Sequence, residues 1–213
     1  EGDGIGGAVN LVMKDAPMQR QFAANISTGY NSMYFDRNFK SFAWDKINKK
    51  SPDERLGTTR TGSRMEASMF DPAVLHLTEK KALPDITAGI SYGDRFAGER
   101  LGVMLAASFQ NTNRGRESDI EYKPGTTRHG TEHRDYSVRQ TRTGVHLKLD
   151  YNINGTNRLT WSNGYMDLRE GEVRDGADDR DRRVRLKWNR QYVFSSTLKG
   201  EHRLLKDGAL RLD

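Results

Sequence analysis

The chain has 213 residues, no cysteine, and a formal net charge of +6 from 35 basic and 29 acidic residues. The lack of cysteine excludes disulfides and thiolate chemistry, and the mixing of both charge signs argues against a nucleic-acid-binding domain. Mean hydropathy is -0.86, and no apolar run approaches the roughly 20 residues of a membrane helix, so a helical membrane protein is excluded while a β-barrel with a polar lumen is not.

Residues 1–17 begin with closely spaced glycines and continue into an apolar, β-prone run that is closed by a charged break and Pro17. The glycines are Gly2, Gly4, Gly6 and Gly7. Because glycine allows close backbone approach, this pattern predicts a tight turn that enters a packed strand.

A nucleotide-binding loop is the alternative for this segment, because Gly2, Gly4 and Gly7 have the spacing G-x-G-x-x-G. That motif follows a strand and opens a helix, whose N-terminus meets the pyrophosphate. Here strand-like residues such as Val9 and Val12 follow the glycines, and no helical pattern is present. The spacing alone is therefore weak support for dinucleotide binding.

The first strand is predicted over residues 19–30, where apolar and polar side chains alternate with a period of two. One face comprises Phe22, Ala24, Ile26, Thr28 and Tyr30. The other face comprises Ala23, Asn25, Ser27 and Gly29. We expect the apolar face to contact lipid and the small polar face to line a lumen.

Later stretches repeat the alternation and predict further strands. They are residues 85–93, 101–110, 144–153, 159–165 and 184–198, with a last strand beginning near residue 210. Short turns are predicted near Asp94, at Asn154-Gly155 and near Asp207, since these positions are rich in turn-forming residues.

Three polar segments are predicted to be long loops: residues 31–83, 111–140 and 168–181. Within the first, Met33 to Trp44 is expected to extend the first strand, and Glu66 to Phe70 to form a short strand. Long and short connections thus alternate along the chain. That rhythm is typical of an outer-membrane barrel with long external loops and short periplasmic turns.

The stretch from Gly6 to Lys14 resembles the last plug strand of TonB-dependent outer-membrane receptors, of the type common in Bacteroidetes. It has the Gly-Gly, small residue, Val, Asn, apolar pair and basic residue of that pattern. The residues that carry the plug–barrel motif are Gly4, Gly6, Gly7, Val9 and Asn10. The resemblance implies an all-β chain in which residues 1–17 end a plug and residues 18–213 begin a transmembrane barrel. About seven of an expected 22 strands would be present, so we expect an internal fragment of a longer protein.

For function, the resemblance implies active uptake across the Gram-negative outer membrane and no enzyme activity. The ligand would be a siderophore, cobalamin, glycan or peptide, and TonB would pull on a plug segment expected upstream of residue 1. Lipid and lipopolysaccharide would surround the barrel, and no cofactor is expected. A passive porin without a plug and a soluble β-sheet domain that binds a ligand are the alternatives; in the soluble domain, the apolar faces would meet in a two-sheet core.

A few polar constellations suggest chemistry. The basic residues of the segment 111–140 are candidate contacts to lipopolysaccharide phosphates or to an anionic ligand, against the alternative of a solvated loop. They are Arg114, Arg116, Arg128 and Arg134. Residues 129–133 fit the H-x-x-E-H zinc-protease pattern, but their glycine and threonine disfavour the helix that this chemistry needs. The aspartates of residues 175–181 lack EF-hand spacing and alternate with arginines. We predict no metal site and no catalytic residue.

Overall fold

The computed structural model describes residues 15–47, 50, 54, 72–122, 130–178, 180–205 and 208–212. The predicted all-β, antiparallel class is confirmed for this part of the chain. The strands are β1 (Gln21–Gly29), β2 (Phe39–Ser41), β3 (Thr78–Lys80), β4 (Asp85–Phe96), β5 (Leu101–Tyr122), β6 (Gly130–Asn154), β7 (Asn157–Ala177), β8 (Arg182–Leu205) and β9 (Gly208–Leu212). Among these residues, no helix is long and apolar enough to cross a membrane.

One antiparallel sheet contains most of the strands, in the order β1-β4-β5-β6-β7-β8-β9. It is open: β1 lies at one edge and the short strand β9 lies at the other. Strands β2 and β3 pair with each other in a separate two-stranded sheet. The described strands therefore form an open sheet, and not a closed barrel.

The register aligns side chains of like character across the sheet, and this defines two faces. On one face Ile90 lies opposite Ala24 and Ala107, and Leu105 lies opposite Leu147. On the other face Ser91 lies opposite Ala106. Because side chains alternate between the faces, we name them the apolar face and the polar face.

The sheet also divides along its strands into two zones. The band consists of β1, β4 and residues 101–110, 143–154, 157–166 and 192–205, where the apolar face is rich in large apolar side chains. The extension consists of residues 111–122, 130–142, 167–177 and 182–191, where both faces carry many polar side chains. Strands β5 to β8 run without interruption through both zones.

The extension corrects the prediction of long loops at residues 111–140 and 168–181. Strand β5 continues to Tyr122 and β6 begins at Gly130, while β7 continues to Ala177 and β8 begins at Arg182. Backbone hydrogen bonds between neighbouring strands hold these polar segments together, so strand structure needs no apolar periodicity here. The predicted short turn at Asn154-Gly155 is confirmed, and the turn predicted at 94–99 lies at residues 97–100.

Residues 31–46 do not extend β1, so the prediction for Met33 to Trp44 is wrong. They form short 3-10 helices, Ser32–Tyr34 and Trp44–Lys46, on either side of β2. Asn31 caps the first of them by accepting a hydrogen bond from the backbone N–H of Met33. Tyr34 is 2% exposed and packs with Phe39 and Ala82, which makes a small core between this segment and the sheet. The strand predicted at 66–70 lies outside the described residues.

Candidate functional site

The apolar face of the band is uncovered by any described residue of the chain. Ile26 is 79% exposed and Phe194 is 68% exposed, although both are large apolar residues. Other large apolar residues of this face are between 37% and 67% exposed: Phe22, Ile86, Ile90, Leu105, Phe109, Val145, Trp161, Tyr165 and Leu198. Contiguous exposed apolar surface of this kind marks contact with a membrane, a partner or a second layer of the fold.

The polar face of the band carries a cluster of charged residues close to the short turns. We name it the basal cluster: Asp15, Arg95, Lys148, Asp150 and Arg158. The Asp150 side chain has no solvent exposure, and its carboxylate lies 3.1 Å from guanidinium nitrogens of both Arg95 and Arg158. Removing this carboxylate would leave two guanidinium groups without their buried counter-charge.

The segment 15–17 is bound to this cluster by its own charge and backbone. Asp15 accepts a hydrogen bond from Lys148 Nζ at 2.7 Å and lies 3.3 Å from Arg158. The bond from Lys148 holds the pKa of the Asp15 carboxyl below its ordinary value, against the opposing effect of partial burial. Arg95 also donates to the carbonyl oxygen of Ala16 at 3.2 Å.

Glycines in the sheet allow this segment to pack closely against the polar face. A Cβ added to Gly102 would lie 2.8 Å from the Ala16 Cβ, and one added to Gly93 would lie 2.5 Å from Pro17 Cδ. Such separations are well below van der Waals contact, so the close approach requires glycine at both positions. The chain before β1 therefore crosses the polar face at the short-turn end of the sheet.

In the extension, the segment 31–46 covers part of the apolar face. Lys40 Nζ lies 2.9 Å from Asp135 and 2.7 Å from Asp175, and Tyr34 donates a hydrogen bond of 2.9 Å to the Arg114 carbonyl. Trp44 lies over Gly171, where only a glycine leaves room for the indole. We call this layer the cover.

Electrostatics favour the charged forms in the cover. Burial alone would lower the pKa of Lys40, but hydrogen bonds to Asp175 and Asp135 outweigh it and raise that pKa above its ordinary value. The guanidinium of Arg182, followed by Lys40, lowers the pKa of Asp175 to about 2. The Lys40–Asp175 pair is therefore ionised at neutral pH.

Three of the four arginines predicted as ligand or lipopolysaccharide contacts, Arg114, Arg116 and Arg134, lie on strands with their side chains on the polar face. Arg114 pairs with Asp85 at 2.7 Å and Arg134 with Glu132 at 2.8 Å, so both already have a carboxylate partner. The Arg116 guanidinium lies 4.4 Å from the centre of the Tyr136 ring. Arg128 and the motif residues Gly4, Gly6, Gly7, Val9 and Asn10 lie outside the described residues.

Tyr136 lies between arginines of neighbouring strands. The register places Arg116 on one side of it and Arg174 on the other, and Arg185 follows directly opposite Arg174. Burial would raise the pKa of the Tyr136 phenol, but Arg134, Arg116 and Arg174 lower it below its ordinary value. The sequence did not single out Tyr136, Arg174 or Arg185, because the first two lie in segments predicted as loops and the third lies on the polar side of a strand that was identified by its apolar residues. Extending the alternation of β6 and β7 beyond the band would have placed these residues on one face.

The zinc-protease pattern does not form a metal site in the described part of the chain. Glu132 and His133 are adjacent on β6, so their side chains point to opposite faces, and His133 lies 2.7 Å from Asp119. His129 lies outside the described residues. Among the residues described, no three histidine or acidic side chains are grouped to hold a metal ion. Asp178 instead stabilises the β7–β8 turn by accepting hydrogen bonds from the backbone of Arg180 and Asp181.

In comparisons with known proteins, no family model, curated protein or solved structure matches the chain. The function therefore has to be argued from the sequence and from the geometry described above.

Proposed function

We propose that this chain is part of a TonB-dependent outer-membrane receptor: residues 1–17 end the plug, and residues 18–213 form the first strands of the barrel wall. The whole protein would take up a scarce ligand, such as a siderophore, cobalamin, glycan or peptide, using energy transmitted by TonB. One observation carries the proposal. Residues 15–17 lie on the polar face of a sheet whose opposite face is an uncovered apolar band.

The dimensions of the band agree with a membrane-spanning wall. Strand β1 has 9 residues and β4 has 12, and a tilted transmembrane strand needs about 9–11 residues. In a barrel the outward face is apolar and the inward face is polar, as in the band. A soluble sandwich would need a second layer over the apolar face, and none of the described residues supplies one over the band.

The position of the segment 15–17 favours a receptor over a passive porin. In the proposed barrel, the polar face lines the lumen, and the chain that precedes β1 would enter the wall from the lumen side. An ion-pair cluster that includes the buried Asp150 joins this segment to the wall. A porin has no plug and would have no use for such an attachment.

The same geometry orients the sheet. The segment 15–17 contacts residues near the β4–β5 turn, so that end of the sheet would be periplasmic and the extension would project outside the cell. Arg114, Arg116 and Arg134 would then face the ligand pathway. This placement favours contact with the ligand over contact with lipopolysaccharide, which would surround the opposite face.

The test is to isolate the protein at its full natural length and measure its membrane dependence and its TonB binding. We expect it in the outer-membrane fraction, monodisperse only with detergent, and bound by the periplasmic domain of TonB. A monodisperse monomer in plain buffer would overturn the barrel and favour the soluble β-domain. A detergent-dependent protein that ignores TonB and conducts ions steadily in a planar bilayer would favour the porin.

A further inference from the structure

We propose that Arg116, Tyr136, Arg174 and Arg185 form a binding site for a ligand with at least two negative groups, carboxylates or phosphates. We name these residues the arginine row. They occupy directly opposed positions on β5, β6, β7 and β8, and all lie on the polar face of the extension. The location of the row in the ligand pathway rests on the proposed function, while its affinity for anions does not.

Charge pairing separates the row from its neighbours. Arg114, Arg183 and Lys187 lie in adjacent rows of the same face, and each has a carboxylate partner: Asp85, Asp181 and Glu170 respectively. Arg134, next to Tyr136 on this face of β6, pairs with Glu132. By contrast, no carboxylate of the described residues forms an ion pair with Arg116, Arg174 or Arg185. Glu172, two residues from Arg174 on the same face, also makes no such pair with it.

The cost of this arrangement in the unliganded protein argues for a ligand. Arg174 and Arg185 are directly opposed on one face, where Cβ atoms of a cross-strand pair lie about 5 Å apart and like charges are destabilising. Lys40 and Asp175 show that the extension elsewhere pairs opposite charges at 2.7 Å. An anion placed between the two guanidinium groups would relieve their repulsion.

Tyr136 orients the site. The Arg116 guanidinium lies over its ring at 4.4 Å, which limits the motion of a long side chain and leaves guanidinium N–H groups available. Its hydroxyl oxygen lies beside the donor groups of Arg134, Arg116 and Arg174, and its own O–H can donate to an anion. Neighbouring strands are about 4.8 Å apart, so the row presents three cations over about 14 Å, a span suited to separate anionic groups on one ligand. Guanidinium groups bind carboxylate and phosphate oxygens through paired hydrogen bonds.

The probes are inorganic pyrophosphate and citrate, titrated by calorimetry into the full-length protein at low ionic strength, where charge interactions are least screened. We expect at least one of them to bind, with affinity that falls as salt is added. Replacing Arg174 or Arg185 by glutamine should weaken binding by about tenfold or more, because each removes charge-assisted hydrogen bonds. Binding of pyrophosphate alone would assign a phosphate ligand, and binding of citrate alone would assign a carboxylate ligand.

Arg183→Gln is the matched control, since it removes the same charge from the same face of β8 at a residue already paired with Asp181. It should weaken binding by less than about threefold, as expected for a rim charge. If Arg183→Gln weakened binding equally, the anion would be attracted by the overall positive charge of the face and not by the arginine row, and the proposed site would be overturned. Failure of both probes to bind at low salt would also overturn it, as would displacement of the bound probe by purified lipopolysaccharide.

Thermal unfolding without ligand supplies an independent readout. Arg174→Gln should leave the melting temperature unchanged or raise it, because it removes like-charge repulsion, while it reduces the rise that the probe causes in the unchanged protein. A lower melting temperature with unchanged probe binding would mean that Arg174 is structural and would overturn the site. The same titration can be made in plain buffer if the protein proves soluble, so failure of the membrane proposal and failure of the row are distinguishable.

Discussion

The band and the extension share the four long strands β5 to β8, yet they are stabilised by different contacts. In the band, one face is apolar and exposed, and the other is polar and joined to the segment 15–17 through the basal cluster. In the extension, both faces are rich in polar groups, and the cover packs on the face that is exposed in the band. One continuous register runs through both zones.

This difference teaches that strand pairing and environment are separate properties of this chain. Backbone pairing continues wherever the strands stay adjacent, while the side chains decide whether a face is exposed or covered. The apolar periodicity of the sequence reports only the environment. Predictions that alter one zone should therefore leave the other largely intact.

The largest effect is expected from the buried carboxylate of the band. Asp150→Ala should reduce the free energy of unfolding by about 3–5 kcal/mol, because Arg95, whose side chain is 8% exposed, loses its buried counter-charge and Arg158 keeps only its contact with Asp15. Urea unfolding of the full-length protein in detergent measures this loss. The control is Asp181→Ala in the β7–β8 turn at the end of the extension, which removes an exposed ion pair with Arg183 that should contribute about 1 kcal/mol or less. Equal effects of the two variants would contradict the distinction between the zones.

A charged side chain introduced on the apolar face should destabilise the folded protein nearly as much if that face contacts lipid. Leu105→Arg is expected to reduce the free energy of folding into a bilayer by about 2–4 kcal/mol, as for a lipid-facing position near the midplane. Ala106→Arg, one residue later and on the polar face, is the control and should change this free energy far less. A similar cost for both variants would remove the basis for assigning lipid to one face.

A smaller effect is expected where the wall meets the segment 15–17. Gly93→Ala places a methyl group against Pro17, and overpacking of this kind costs about 1–3 kcal/mol. The strain should lift the segment locally, so hydrogen exchange at residues 15–18 should accelerate. Gly200→Ala, at a strand position where an added Cβ has no described atom within 4 Å, should leave that exchange unchanged. Unchanged exchange in Gly93→Ala would mean that the position of the segment does not depend on its close packing against the sheet.

The smallest effect is a pH-dependent loosening of the cover. The pKa of Asp175 is lowered to about 2 in the folded protein, so its pair with Lys40 stabilises the cover fully above the unfolded pKa. That stabilisation is lost as pH falls from about 4 towards 2. Trp44 fluorescence reports the change once Trp161 and Trp188 are replaced by phenylalanine.

In the Asp175→Asn variant, the Trp44 emission should already be that of the loosened cover at neutral pH. The Asp181→Asn variant should keep the transition, because Asp181 does not contact the cover. If the Trp44 emission of the protein that retains Asp175 stayed constant from pH 5 to pH 2, the Lys40–Asp175 pair would not stabilise the cover.

The band could be predicted from sequence, and the extension could not. Phe22 and Ile26 alternate with small polar residues, so a period of two identifies β1 and its faces. Around Arg116 and Arg174 both faces are polar, so the same strand geometry leaves no apolar period to detect. Contacts such as Asp15 with Lys148 join residues 133 positions apart and depend on where the segment crosses the sheet, which no local pattern encodes.

Contact between the apolar face and lipid is the central claim, and spin labels along β5 test it most directly. Labels are placed singly at Leu105, Ala106, Ser108 and Phe109 of the full-length protein in bilayers, and their collisions with oxygen and with a water-soluble nickel chelate are measured. We predict oxygen access at Leu105 and Phe109, shielding from oxygen at Ala106 and Ser108, and exclusion of the nickel chelate from the first pair. Free access of the nickel chelate to Leu105 and Phe109 would contradict the account, because the apolar face would then contact water.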